Sequence, residues 1–413
     1  MDRSEHTMAT LGETPTSRRR HLLTAAALTL GVVLAGCANN APQDIFEPKG
    51  SNARTIDNIQ RPVFYIAGVV GVIVLGVVAY IIMKFRDRGQ DIPEQTHGNP
   101  KLEIFLTILP AVILAGVAVP TVIGVFALDK KADTECIINV TGQQWWWEYD
   151  YVAGKCGGVD ITSPIVTSGE LVIPAKTNVL LRITSRDVIH SYWIPALNGK
   201  RDAVPGRLHT LRMQADQPGI YTGQCTEFCG LSHARMRMAA VALTASDFQS
   251  WVDNQLAPYE SPTDAKALEG EATFIANCSK CHQVNGLKNT DGTPVLSNPD
   301  LYVVSGVAPN LTNLMTRTAI AGWTFDLISQ ECRDKLWNAK PDEFGALYLK
   351  GVTADCFDEV RLREWLRNPP GLKPMYVNPN NLASTGGKYR GMPNLNLKED
   401  QIDQLIAYLF ERK

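Results

Sequence analysis

The sequence predicts a membrane-anchored, multidomain protein: a two-helix transmembrane hairpin, then an all-β sandwich, then an all-α module. Three observations carry that prediction. Uncharged stretches run from Pro62 to Met83 and from Ile104 to Leu128, each longer than the roughly 20 residues that cross a bilayer core. From about Glu135 the chain turns to short β-branched and aromatic runs between turn residues, the pattern of a sandwich or barrel. At the far end Ile402, Leu405, Ile406 and Leu409 recur at i, i+3, i+4, i+7, one face of an amphipathic helix. A length of 413 residues accommodates these as separate domains.

In chain order, residues 1–36 read as an export signal. Arg18, Arg19 and Arg20 precede an apolar run, Leu22 to Ala35, which is too short to span comfortably and ends in Leu34-Ala35-Gly36-Cys37, a lipobox. Cleavage before Cys37 leaves a lipid-modified N-terminus; an uncleaved helix with an incidental cysteine is the competing reading. Ser17-Arg18-Arg19 hints at twin-arginine export, and Sec against Tat stays open. An extracytoplasmic segment, 37–61, leads into the hairpin, 62–128. Its link carries Lys84, Arg86, Arg88 and Lys101, consistent with a cytoplasmic turn, although the positive-inside contrast is weak. Glu103, at the lip of the second span, suits a helix N-terminus; an acid beside a membrane span is also a functional candidate by default.

Within residues 129–256, strands are expected at Ile137-Ile138-Asn139-Val140, Leu171-Val172-Ile173-Pro174, Asn178 to Thr184 and Arg207 to Met213. A closing helix follows over Ser246 to Gln255, with Ser246 as its N-cap. Trp145-Trp146-Trp147 reads by default as core or interface packing.

Between Cys225 and Met236 the chain places two thiolates, an imidazole (His233) and a thioether within one loop. Thiolate and thioether select soft metals such as Cu(I), and imidazole suits copper. Cys225 and Cys229, four apart, can both bridge a pair of copper ions, with His233 and Met236 as terminal ligands and His190 as the second imidazole. Zinc sites seldom use Met, and an unligated cysteine pair explains neither His233 nor Met236. With the loop between the last two strands, the sandwich should be cupredoxin-like.

Cys-x-Glu-x-Cys-x-x-x-His-x-x-Met, with Asp-Val-Ile-His-Ser upstream and Asp-Ala-Val-Pro-Gly-Arg between, resembles subunit 2 of haem–copper cytochrome c oxidases over roughly residues 60–255. The resemblance implies a dinuclear CuA centre held by His190, Cys225, Cys229, His233 and Met236, with Glu227 giving its backbone carbonyl. It also implies a magnesium ion on the Glu227 side chain at the contact with subunit 1. Glu103 would then lie at the mouth of a proton channel into subunit 1. Trp145 would be the exposed aromatic that admits electrons.

Cys278-Ser-Lys-Cys281-His282 is the covalent c-type haem attachment pattern, with His282 as the proximal iron ligand. A Met as distal ligand raises the haem potential. Gly391-Met392-Pro393 resembles the Met-Pro loop of small cytochromes c; Met375, in Lys-Pro-Met-Tyr, is the runner-up, and Met315 is assigned to the core. A class I cytochrome c domain is therefore expected over 265–413, after a proline-stiffened linker at 257–264. Asp264 to Ala276 should be its first helix, with Gly270 and Phe274 at packing positions, and Pro309-Asn310-Leu311 resembles the loop behind the haem histidine. An insertion at about 318–360 departs from a small cytochrome c. In an exported protein its Cys332 and Cys356 suggest a disulfide, as do Cys136 and Cys156. Free buried thiols compete with both pairings, since spacing alone cannot settle them.

The formal net charge is −2, balanced along the chain, and points to no nucleic acid. The sequence thus reads as the electron-input subunit of a terminal oxidase of a bacterial cytoplasmic membrane, multi-pass and lipid-anchored, with its soluble domains outside. Electrons would come from cytochrome c or from the cytochrome of a quinol–cytochrome c reductase in a supercomplex. They would pass through haem c and CuA to haem a of subunit 1, for oxygen reduction coupled to proton pumping, with subunit 3 as a further partner. No residue here needs to act as acid, base or nucleophile. The competing readings are the same relay in a nitric oxide reductase, and a membrane-anchored electron carrier or copper protein without an oxidase partner.

Overall fold

The computed structural model describes Thr24, residues 41–87, 89, 97–129, 136–295 and 308–412; the expected signal segment and Cys37 lie outside the described residues, Thr24 apart. Two helices, Ser51–Lys84 and Pro100–Asp129, are each long and apolar enough to cross a membrane. The first begins eleven residues before the apolar run at Pro62, so part of the expected 37–61 segment is helical. The reason is docking. Ser51 Oγ donates to Gln214 Oε1 (2.8 Å), Asn52 Nδ2 donates to the Arg212 carbonyl (2.8 Å), and Arg54 pairs with Asp216, which fixes the first turns against the sandwich. Glu103 lies in the first turn of the second helix.

The sandwich has a five-stranded sheet in spatial order His209–Met213, Val179–Ser185, Cys136–Gln143, Trp146–Tyr151, Ile165–Ser168. Its second sheet orders Gly219–Gln224, Arg237–Leu243 and Glu170–Pro174. Alternation along Val179–Ser185 buries Val179, Leu181 and Ile183 between the sheets. Cys136 and Cys156 are disulfide-bonded. The closing helix spans Ala245–Gln255 and its N-cap is Thr244, not Ser246: the Thr244 hydroxyl accepts from the Asp247 amide at 3.1 Å, leaving Ser246 inside the first turn.

Beyond it, Tyr259 and Glu260 of the expected linker are fastened down. Tyr259 donates to Glu271 Oε2 (2.7 Å) and Arg412 donates to the Glu260 carbonyl (3.0 Å). The C-terminal module is built on the crossing of helices Ala265–Asn277 and Glu399–Phe410. Asp264 caps the first by accepting from Lys266 and Ala267. Gly270 is required at the crossing, since a Cβ there would lie 2.0 Å from the Gln404 carbonyl oxygen. Phe274 packs on Tyr408 with ring centroids 5.3 Å apart. Ile402, Leu405, Ile406, Leu409 and Met315 are all buried.

Among its described residues the module departs from all-α in a short hairpin, where Ala319–Ile320 pairs with Phe325–Asp326, and in isolated bridges such as Ile328 with Phe357 and Tyr376 with Arg390. The connecting turn puts Ala321, Gly322 and Trp323 at positive φ, so it folds back as a hairpin rather than a helix. The insertion otherwise holds short helices, Gln330–Trp337 and Pro341–Tyr348, and the disulfide Cys332–Cys356. Closing a loop of 24 residues constrains the unfolded chain by about 3 kcal/mol. Cys332→Ser with Cys356→Ser should therefore leave the insertion the first proteolytic cleavage site of the native complex, as mapped by mass spectrometry. Cleavage rates equal to wild type would contradict this.

Candidate metal centre and the cavity beside it

Strands Gly219–Gln224 and Arg237–Leu243 pair up to Gln224 opposite Arg237, and the loop between them runs from Cys225 to Met236. The Cys225 amide donates to the Met236 carbonyl at 2.9 Å and closes the base of this loop. Cys225 and Cys229 Sγ are 3.8 Å apart. Cys229 Sγ is 3.6 Å from His233 Nδ1 and 3.8 Å from Met236 Sδ. The Glu227 carbonyl lies 3.3 Å from Cys225 Sγ, while its side chain is exposed. His190 arrives from the strand His190–Tyr192, and its ligand atom falls within 4.8 Å of both sulfurs. Gly142 makes room for it: a Cβ there would press to 2.9 Å on the imidazole.

Asp187 orients that imidazole. Its Oδ1 lies 2.8 Å from His190 Nε2, and a carboxylate only accepts, so Nε2 carries the proton. The lone pair of Nδ1 then faces the thiols, and Nδ1 is buried with no hydrogen-bond partner in the chain. A buried, unpaired imidazole nitrogen beside two sulfurs fits a metal. Burial raises the Asp187 pKa, but the bonds from His190 and from the Gln144 and Val188 amides outweigh it and hold the carboxylate ionised. The contact between the two sulfurs lowers the Cys225 pKa and raises that of Cys229, so ionisation falls on Cys225 first.

Asp187 opens the Asp-Val-Ile-His-Ser motif, and a carboxylate three residues before a candidate ligand histidine is a readable sign of outer-shell support. Asp187→Asn should weaken copper retention by about 10–100-fold in chelator competition. Unchanged retention would show that the carboxylate does not orient His190.

Trp145 corrects an expectation. It is not exposed: 2% of its surface remains accessible. Its indole donates to the Cys229 carbonyl at 3.1 Å, and Gln144 Nε2 donates to the same oxygen at 2.7 Å. The cover comes from the C-terminal module. Tyr376 lies on the indole with ring centroids 5.1 Å apart, and Lys373 Nζ donates to the Trp145 carbonyl at 2.9 Å. Trp146 and Trp147 are buried too, Trp147 with its ring edge-on to Tyr192.

Beside Trp145 opens a cavity of about 750 Å³, walled by both modules, a size typical of cofactor sites at roughly 300–1,000 Å³. Cys278, Cys281 and His282 line one side and Trp145 another. His282 Nδ1 donates to the Pro309 carbonyl at 2.8 Å, which leaves Nε2 as the lone-pair nitrogen. Burial holds this imidazole below its usual pKa and hence neutral. Among the described residues that line the cavity, Arg186, Arg317 and Arg390 stand against one acid, Asp187, so these walls favour anionic groups. Met375 and Met392 both line it. Met375 is packed beneath the turn, its sulfur accepting from the Met392 amide at 3.2 Å.

A soft-ligand loop on a cupredoxin-like sandwich, preceded by two long apolar helices, defines a membrane-anchored copper electron-transfer protein. Residues 136–243 match the periplasmic domain of cytochrome c oxidase subunit II, and residues 43–123 match its transmembrane domain. The chain is 32% identical over 391 residues to cytochrome c oxidase subunit 2 of Alkalihalophilus pseudofirmus, covering 92% of this chain and 94% of that one. It is also 32% identical over 345 residues to the subunit 2 of Bacillus sp. strain PS3, with 79% of each covered. The solved periplasmic domain of subunit II from Bradyrhizobium japonicum aligns with 30% of this chain and 95% of its own, at 31% identity and a TM-score of 0.27. The chain belongs to the cytochrome c oxidase subunit 2 family. It is a copper-containing, electron-input subunit of a haem–copper oxidase, and its partner is subunit 1.

Proposed function

We propose that this chain relays electrons through two centres in series, a covalent haem c in the C-terminal module and a dinuclear CuA in the sandwich, and on to haem a of subunit 1. Each group takes up and gives back single electrons when bound; the chain's own residues attach, orient and insulate. Cys278 and Cys281 would form the thioether bonds, and His282 would present Nε2 to iron with its tautomer set by Pro309. Met392 is the proposed distal ligand. Arg186, Arg317 and Arg390 would face the haem carboxylates. Cys225 and Cys229 would bridge the coppers, with His190, His233, Met236 and the Glu227 carbonyl completing the set.

One observation carries this reading. A single cavity touches the Cys278-Cys281-His282 cluster at one side and, at the other, Trp145, whose indole is bonded to the backbone of Cys229. The test is the mass of the peptide holding Cys278 and Cys281, together with the alkaline pyridine spectrum of the complex. We expect a haem-bearing peptide without alkylatable thiols. Free thiols on that peptide would overturn the relay.

The same reading extends to the surroundings. The apolar helices would cross as a hairpin with Cys37 lipidated on the outer side, and Glu103 would stand at a proton-channel mouth. The exposed Glu227 side chain, beside a Phe228 that is 78% accessible, suits a magnesium shared with subunit 1. Oxygen reduction and proton pumping belong to subunit 1, with subunit 3 alongside, and the donor would be cytochrome c or the cytochrome of a quinol–cytochrome c reductase.

A further inference from the structure

We propose that the insertion holds the C-terminal module permanently over Trp145, so that the copper centre of this chain accepts electrons only from within the chain and is closed to external donors. The inference rests on the two-centre reading above and adds what sets donor specificity.

Glu170 is the anchor. It sits at the start of the strand Glu170–Pro174 and is 2% accessible. Its Oε1 accepts from the Thr318 amide (2.8 Å), the Thr318 hydroxyl and the Trp323 indole (3.1 Å), and its Oε2 accepts from the Tyr348 hydroxyl (2.8 Å). All four donors belong to the insertion. Burying a carboxylate without partners is costly, so a sandwich parted from the insertion would re-expose Glu170 to water. Arg317 reinforces the anchor by donating to Ser168 Oγ at 2.9 Å.

From that anchor two segments reach the copper loop. The Arg237 amide donates to the Gly322 carbonyl (3.0 Å), and Thr324 Oγ1 donates to the Arg235 carbonyl (2.6 Å). On the other side Ser232 Oγ donates to the Pro374 carbonyl (2.5 Å), and Tyr376 covers the Trp145 ring. Gly322 packs so tightly that a Cβ would lie 2.3 Å from the Trp145 carbonyl oxygen, at a φ of +69 that also favours glycine. The face of Trp145 that an external protein would need is therefore covered by the chain itself. Each transfer moves one electron, makes or breaks no bond, and leaves Trp145 and Tyr376 unchanged.

Two measurements on the purified oxidase complex test this. The first is hydroxyl-radical labelling of tryptophans read by peptide mass mapping, which requires neither haem nor copper. Trp145 should be labelled at least tenfold less than Trp337, which is 40% accessible. The protection should be lost in Glu170→Ala and kept in Glu170→Gln, whose amide oxygen still accepts from Thr318 and Trp323; protection unchanged in Glu170→Ala would overturn the anchor. Equal labelling of Trp145 and Trp337 in the wild type overturns the closed arrangement whatever the metal content. The second is rapid mixing with reduced soluble cytochrome c, following haem and copper absorption together. Copper reduction should trail haem reduction at a rate independent of donor concentration, and the Glu170→Ala complex should gain a direct copper phase proportional to donor. Such a direct phase in the wild type would refute donor exclusion. Loss of the haem signal with Trp145 still protected would instead fault the two-centre reading.

Discussion

Cys225→Ser or Cys229→Ser should abolish the copper centre. A hydroxyl is a hard, protonated donor at neutral pH where a soft bridging anion is needed. The sulfurs are 3.8 Å apart and Cys229 also lies within 3.8 Å of Met236 and 3.6 Å of His233, so losing Cys229 disconnects the set and losing Cys225 removes one of its two soft anions. Metal analysis should find both coppers gone, and the low-energy mixed-valence absorption should vanish. Turnover with an external donor should fall by more than the about 10–100-fold expected for an outer-shell partner. Two retained coppers with an unchanged spectrum would refute the ligand assignment. The proposed haem attachment at Cys278 and Cys281 should persist, because those thiols lie on the other module.

Second in size is the effect expected at Met392, the proposed haem ligand. Met392→His should keep the haem attached but lower its potential, since imidazole stabilises ferric iron better than thioether does. Axial ligation commands a span of roughly 0.8 V, and each drop of about 59 mV costs a factor of ten in the one-electron equilibrium with the donor. Electron uptake from the donor should become uphill, with copper content unchanged. Met375→Leu should leave the ferric sulfur-to-iron charge-transfer band in place, because Met375 packs under Gly391, where a Cβ would lie 2.2 Å from its sulfur. If the band survives Met392→His and disappears in Met375→Leu, the two methionines exchange roles and the haem itself stands.

Much of this was legible where a signal is local. The two apolar helices were readable as uninterrupted hydropathy, the copper loop as a ligand spacing within one turn, and the C-terminal helix as a repeat of Ile402, Leu405, Ile406 and Leu409. What escaped depends on distant parts of the chain meeting. Glu170 and Tyr348 are 178 residues apart, and Trp145 and Lys373 are 228 apart. Nothing in either segment announces the other. Trp145 was expected at the surface because the family resemblance implies an exposed aromatic at that position, and here it is covered by Tyr376 and Gly322. The helix Ser51–Lys84 was underestimated for a related reason: hydropathy reports the apolar part, while the polar first turns are held by Gln214, Arg212 and Asp216. Thr244 against Ser246 is a smaller matter, since both residues can cap a helix and only the reach to the Asp247 amide separates them.

The cavity of about 750 Å³ draws its walls from the sandwich and the C-terminal module alike. Whatever fills it binds only the docked arrangement, so its binding free energy is also docking free energy: occupancy at a hundred times Kd favours docking by about 2.7 kcal/mol, and a covalent occupant, which cannot dissociate, favours it without regard to concentration. Maturation of the chain is thereby linked to its own geometry. A chain lacking the occupant would lose that increment and be held at this seam by its own contacts, Glu170 with Thr318, Trp323 and Tyr348 among them.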